Sequence, residues 1–94
     1  MVLERDVEAA LVRGVRQAGG ICLKFIPDLV EGMPDRIAVL PGGALIWIEL
    51  KRPKGGRLSD AQLHRHKRLR ELGQHVEVCW TKEDVRRILQ QYGE

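Results

Sequence analysis

Cysteine is scarce in this chain. The two residues, Cys22 and Cys79, stand far apart with no C-x-x-C spacing. Both fall in expected buried strands, where a free thiol behaves as a small hydrophobe. The expected setting is a reducing cytoplasm, with a disulfide between the two left open. Aromatic residues are equally few. Phe25, Trp47, Trp80 and Tyr92 are the whole set, too sparse for a base-stacking platform. No stretch approaches the roughly 18–20 apolar residues of a membrane span. The charged start (Glu4, Arg5, Asp6) does not read as a signal peptide. Internal repeats, low-complexity tracts and linkers are also missing, so residues 1–94 are expected to form one small domain.

What is present is ordinary in bulk and specific in arrangement. A hydrophobic share of 44% with 31% charged residues describes a globular chain. The net charge of +3 leans mildly towards an anionic partner. Lys51, Arg52, Lys54 and Arg57 bracket Pro53 and Gly55-Gly56, a basic loop suited to phosphate contacts. Arg65, Lys67, Arg68 and Arg70 follow on the next helix, either as more of that surface or as a solvated face.

Periodicity sets out the elements. Leu3, Val7, Leu11, Val15 and Ala18 recur at helical spacing up to Gly19-Gly20, a stop signal. Glu8 falls at the border of this stripe, where a carboxylate wants a partner. Glu4 lies one turn earlier, where helix N-terminal charge explains it. Residues 21–26, I-C-L-K-F-I, read as a strand; Lys24 is either an edge residue or a charge aimed into a site. Pro27 to Met33 reads as a loop. Ser59 and Gln62 form a capping box for a second helix, with Leu58 and Leu63 as its hydrophobic staple. Leu63, Leu69 and Leu72 are expected to supply its core contacts. His64, His66 and Asp60 look like a metal cluster, but residues two apart on a helix do not share a face, so neither histidine is expected to be a ligand. Val76 to Trp80 makes a last strand. Thr81 caps a final helix with Asp84 three residues on, and Val85, Ile88, Leu89 and Tyr92 form its stripe. The order is αβββαβα, an α/β fold with a mixed central sheet flanked by helices.

The chemistry concentrates in one hairpin. Asp35 to Leu40 and Ala44 to Lys51 read as strands joined by Pro41-Gly42-Gly43. If Leu40 pairs with Ala44, Val39 faces Leu45, Ile37 faces Trp47 and Asp35 comes opposite Glu49. Lys51 then projects from the same face, and Arg36 from the opposite one. Paired residues have Cβ atoms about 4.5–5.5 Å apart, close enough for one divalent ion to bridge two carboxylates. A two-residue Gly42-Gly43 loop would shift the register and break the constellation. Without a cation, opposed carboxylates destabilise a ladder; the plainer alternative is a pair of solvated edge charges with Lys51 as their partner.

Glu8, Gly19-Gly20, Lys24, Gly32-Met33-Pro34-Asp35-Arg36, Trp47-Ile48-Glu49-Leu50-Lys51, Leu58-Ser59 and Gln62 together resemble the VRR-NUC family, the virus-type nucleases of the PD-(D/E)xK superfamily. The resemblance spans nearly the whole chain and implies a restriction-endonuclease-like fold and a DNA endonuclease. Mg²⁺ or Mn²⁺ would be held by Asp35, Glu49, the Leu50 carbonyl and Glu8, with Glu4 competing for the helical position. Lys51 would act on the attacking water, and Gln62 would support the catalytic set. Lys24, Arg36, Arg52, Lys54 and Arg57 would contact nucleic acid. Branched DNA as substrate, 5′-phosphate and 3′-hydroxyl products, a homodimer, and the cytoplasm of a bacterial or phage-infected cell complete the expectation. The competing readings are a non-catalytic nucleic-acid-binding or assembly module, and a restriction-type endonuclease. No segment for reading bases in the major groove supports the latter.

Overall fold

Two glycines decide how the central hairpin closes. Gly42 and Gly43 both have positive φ (92° and 94°), a conformation that side chains resist. They let the Gly43 amide donate back to the Leu40 carbonyl (3.2 Å) while the Leu40 amide donates to Ala44 (2.9 Å). The three-residue connection is therefore the one formed. In the computed structural model, which describes residues 1–26 and 30–93, Val39 pairs with Leu45 and Ile37 with Trp47, as the turn length requires.

Around that hairpin the elements run α1 (Glu4–Gln17), β1 (Ile21–Lys24), β2 (Arg36–Val39), β3 (Leu45–Leu50), α2 (Asp60–Glu71), β4 (His75–Cys79) and α3 (Lys82–Tyr92). The sheet order is β1-β2-β3-β4. The first two pairings are antiparallel and β3–β4 is parallel, with α2 as the crossover. This is the expected mixed sheet flanked by helices. β1 stops at Lys24, two residues short of the expected strand. Pro27, Asp28 and Leu29, the start of the expected loop, lie outside the described residues.

The two faces of the sheet are covered unequally. Ala38, Ile46, Ile48, Leu50 and Cys79 meet Val7, Leu11 and Val15 of α1 and Val85 and Ile88 of α3 in one buried cluster. Each valine, leucine or isoleucine among them contributes about 1.5–3 kcal/mol by leaving water. The close approach of α1 and α3 needs Gly14, where a Cβ would stand 2.8 Å from Leu89 Cδ1. Cys22 and Cys79 are both free thiols. Burial pushes the Cys79 thiol up to about 12.

The opposite face is covered by α2 chiefly over β4, and α2 corrects the sequence reading. Leu63 and Leu72 are 52% and 59% exposed, so neither supplies a core contact. Among the described residues of α2, His66 is the one fully buried. The helix turns the line through Gln62, His66 and Leu69 inward, and Leu63 sits about a quarter of a turn away from it. Its start is as the sequence indicates: the Ser59 hydroxyl accepts from the Gln62 amide (3.1 Å), and the Gln62 side chain accepts from the Ser59 amide (2.9 Å). Thr81 and Asp84 repeat the device on α3.

Candidate active site

Asp35 lies where the β2–β3 ladder ends. Its amide still donates to the Ile48 carbonyl (3.1 Å), and its side-chain Oδ2 accepts from the Leu50 amide (2.8 Å). A carboxylate thus stands in for a backbone carbonyl, which fixes the Asp35 rotamer at the mouth of the hairpin. Continuing the observed register by one step sets Asp35 opposite Glu49, on the face that Trp47 and Ile37 share. Upstream, Gly32 (φ 82°) is pressed against the first turn of α2. A Cβ there would fall 2.2 Å from the Ala61 carbonyl oxygen. The loop that delivers Pro34 and Asp35 is therefore seated on α2.

Glu49 is buried, at 1% exposure. Its Oε1 meets His66 Nε2 at 3.2 Å. Burial pushes the Glu49 carboxyl above its ordinary value, against the His66 hydrogen bond that pulls it down; Asp35 raises it further as hydrogen-bond neighbour and like charge, and Lys51 lowers it. Asp35 and Lys51 are thus both near enough to act on the Glu49 carboxyl. Lys51 also borders an open cleft with Glu4, Arg52, Gly55, Gly56 and Arg57. Gly56 allows the loop to curl back on Arg52, since a Cβ there would meet the Arg52 carbonyl oxygen at 2.6 Å. Arg52, Lys54 and Arg57 are exposed in that loop.

Glu8 is placed differently. Its Oε2 accepts from Arg36 Nε at 2.9 Å, with both side chains partly buried. Arg36 follows Asp35 in the strand and so points to the other face, the one α1 covers; Lys24, paired with Arg36 in the β1–β2 ladder, shares that face and is exposed. Glu8, Arg36 and Lys24 therefore stand across the sheet from Asp35 and Glu49, and Arg36 is engaged within the chain. Glu4 is the helical acid that reaches the cleft with Lys51. Among the described residues, no three His, Cys, Asp or Glu side chains form a group that could hold a metal ion. Gln62 is occupied by its capping bond. His66, which spacing sets aside as a ligand, is buried against Glu49 seventeen residues away, a contact that no local pattern reports.

A Pro-Asp opening one strand and a Glu-x-Lys closing the next, inside an αβββαβα fold, is the arrangement that the resemblance to PD-(D/E)xK nucleases implies. No family model matches the chain. It is similar along nearly its whole length to "Putative nuclease p44" of Acyrthosiphon pisum secondary endosymbiont phage 1, at 39% identity over 89 residues, 95% of this chain and 94% of that one. A solved VRR_NUC domain superposes with a TM-score of 0.87 at 26% identity, over 95% of this chain and 96% of its own. The chain belongs to the VRR-NUC family of PD-(D/E)xK nucleases, and it is thus a phosphodiester hydrolase by class.

Proposed function

We propose that the chain is a DNA endonuclease dependent on Mg²⁺ or Mn²⁺, acting as a single domain over residues 1–94. The observation that carries this reading is the juxtaposition of Asp35 and Glu49 at the open end of the hairpin, with Lys51 beside them. The donor set suits a hard divalent cation: two carboxylates, one desolvated and raised by the other, are relieved by a positive charge between them. Asp35, Glu49 and the Leu50 carbonyl would hold it. Glu4, which borders the cleft with Lys51, is the helical acid placed to join it directly or through water; Glu8, paired with Arg36 across the sheet, is not.

Bound there, the ion would polarise a phosphate and lower the pKa of a water. Lys51 orients the attacking water and stabilises the negative charge that develops on the phosphoryl oxygens. Water oxygen bonds to phosphorus, the bond to the 3′ oxygen breaks, and a 5′-phosphate and a 3′-hydroxyl result. Arg52, Lys54 and Arg57 bind backbone phosphates on the cleft side, making affinity fall steeply with salt. Gln62 supports the site through the start of α2, and Lys24, exposed at the sheet edge, serves DNA bound past it.

Branched DNA is the proposed substrate and a two-fold dimer the working form, which brings two sites to two strands. Support for the dimer comes from the thinly covered face, where Ile21 and Leu23 of edge strand β1 and Leu45 of β3 are exposed. The setting would be the cytoplasm of a bacterial or phage-infected cell. No helix among the described residues is long and apolar enough to cross a membrane.

The test is a cleavage panel of four-way junctions, flaps and plain duplex with Mg²⁺ and with Mn²⁺, beside a measurement of solution mass. Asp35→Asn keeps an acceptor for the Leu50 amide and should fold while losing cleavage. Full activity in that variant would remove the catalytic assignment, and equal cutting of every substrate would remove the preference for branches.

A further inference from the structure

We infer that His66 is the positioning residue of the metal centre, holding Glu49 in its coordinating orientation through the Nε2 hydrogen bond. The inference rests on the metal-dependent reading above. It starts from an anomaly of composition. The one fully buried position of α2, among the described residues, carries an imidazole, while Leu63 and Leu72 of the same stretch stand in solvent. A helix packed for stability alone would reverse that assignment. His66 is 1% exposed, and its Nδ1 is buried without a partner. Burying an unpaired polar atom is costly. Against that cost stands a single side-chain contact, 3.2 Å from Nε2 to Glu49 Oε1.

The geometry of that contact states its role. With Glu49 ionised, as a coordinating carboxylate is, Nε2 carries the hydrogen and donates. Oε1 is occupied by His66, and the rotamer is pinned between helix and strand. Oε2 takes no part in that contact. An unpinned glutamate would lose rotamer freedom on binding a cation and so bind it less well. Hydrogen bonds that orient a ligating carboxylate in this way are worth about 10–100-fold in metal affinity or activity. His66 touches neither water nor phosphate in this scheme and acts through Glu49.

The experiment is a Mn²⁺ titration, read by calorimetry and by cleavage against Mn²⁺ concentration, on wild type, His66→Gln, His66→Asn and His66→Leu. Thermal unfolding checks that each is folded. Glutamine can present its amide near the Nε2 position, while asparagine is one methylene short. His66→Asn and His66→Leu should raise the Mn²⁺ midpoint about 10–100-fold, with His66→Gln recovering to within a few-fold of wild type. A packing role would lower the melting temperatures and leave the midpoints together. Equal midpoints in Asn, Gln and wild type would overturn the inference, and the Gln and Asn pair decides it even if the Leu variant fails to fold. A wild type that binds no Mn²⁺ and cleaves nothing would instead overturn the metal-dependent reading, and this inference with it.

Discussion

Glu49 should be held in place at the expense of stability, and replacing it with glutamine measures that expense. The substitution keeps size, keeps an oxygen to accept from His66 Nε2, and removes a buried negative charge that stands beside Asp35. Opposed like charges and desolvated carboxylates both disfavour the folded state. Glu49→Gln should therefore stabilise the metal-free protein at neutral pH by about 1 kcal/mol. For a domain of this size that is a rise of about 4–8 °C in Tm. The pH dependence has a definite sign. A carboxyl whose folded value is raised binds its proton more tightly in the folded state, so its contribution is complete below the ordinary value of 4.5 and is lost as pH climbs through the raised value. The gap between variant and wild type should accordingly close as the pH falls towards 4.5. Manganese reverses the order at neutral pH. Ligand at a hundredfold excess over Kd adds about 2.7 kcal/mol to a protein that binds it, and the variant should gain little. Scanning calorimetry in chelator and in Mn²⁺ reads both effects. A variant that melts below wild type in chelator would refute the electrostatic reasoning, because the advantage of the charged His66 bond over the neutral one would then outweigh burial and repulsion together.

Two further outcomes test the frame around the site. Gly32→Ala meets a backbone oxygen at 2.2 Å and a φ of 82°, and the second alone costs about 1–2 kcal/mol. Its Tm should fall by at least about 5–10 °C, with cleavage reduced in the surviving fold, and a Tm within two or so degrees of wild type would show that α2 yields easily. Tyr92, the sole tyrosine of the chain, donates to Glu77 Oε2 at 2.6 Å and is pushed up to about 12 by burial and then by Glu77. Absorbance at 295 nm should stay flat through pH 10, and the stabilisation tied to the neutral phenol should be lost as pH rises towards 12. A transition centred near 10 would count against that bond.

What could be read from the sequence follows the range of each interaction. The hairpin register is set by three consecutive residues, Pro41-Gly42-Gly43, and was legible because turn length and strand alternation are local rules. The boxes at Ser59 and Thr81 were legible for the same reason, each spanning four residues. The interior of α2 was not. Which side of a weakly amphipathic helix turns inward depends on the sheet it meets, and the leucines that attract attention in the sequence are the ones left outside. The α1 acids show the limit again. Glu8 borders the buried stripe as its azimuth suggests, yet its partner, Arg36, comes from a strand 28 residues on and from the face opposite Asp35. Spacing along one helix carries no information about that partner.

The contact between Gly32 and Ala61 has a mechanical consequence. The helix that props the loop leading to Asp35 is the one whose His66, five residues on from Ala61, meets Glu49. One rod therefore gauges both acids, the first through a backbone seat and the second through a side chain. The gap between the carboxylates is set by where α2 begins, and the Ser59–Gln62 cap sets that. A hairpin alone would leave its open end free to spread or pinch. Here the jaws of the site are calibrated by an element that contributes no charge to them.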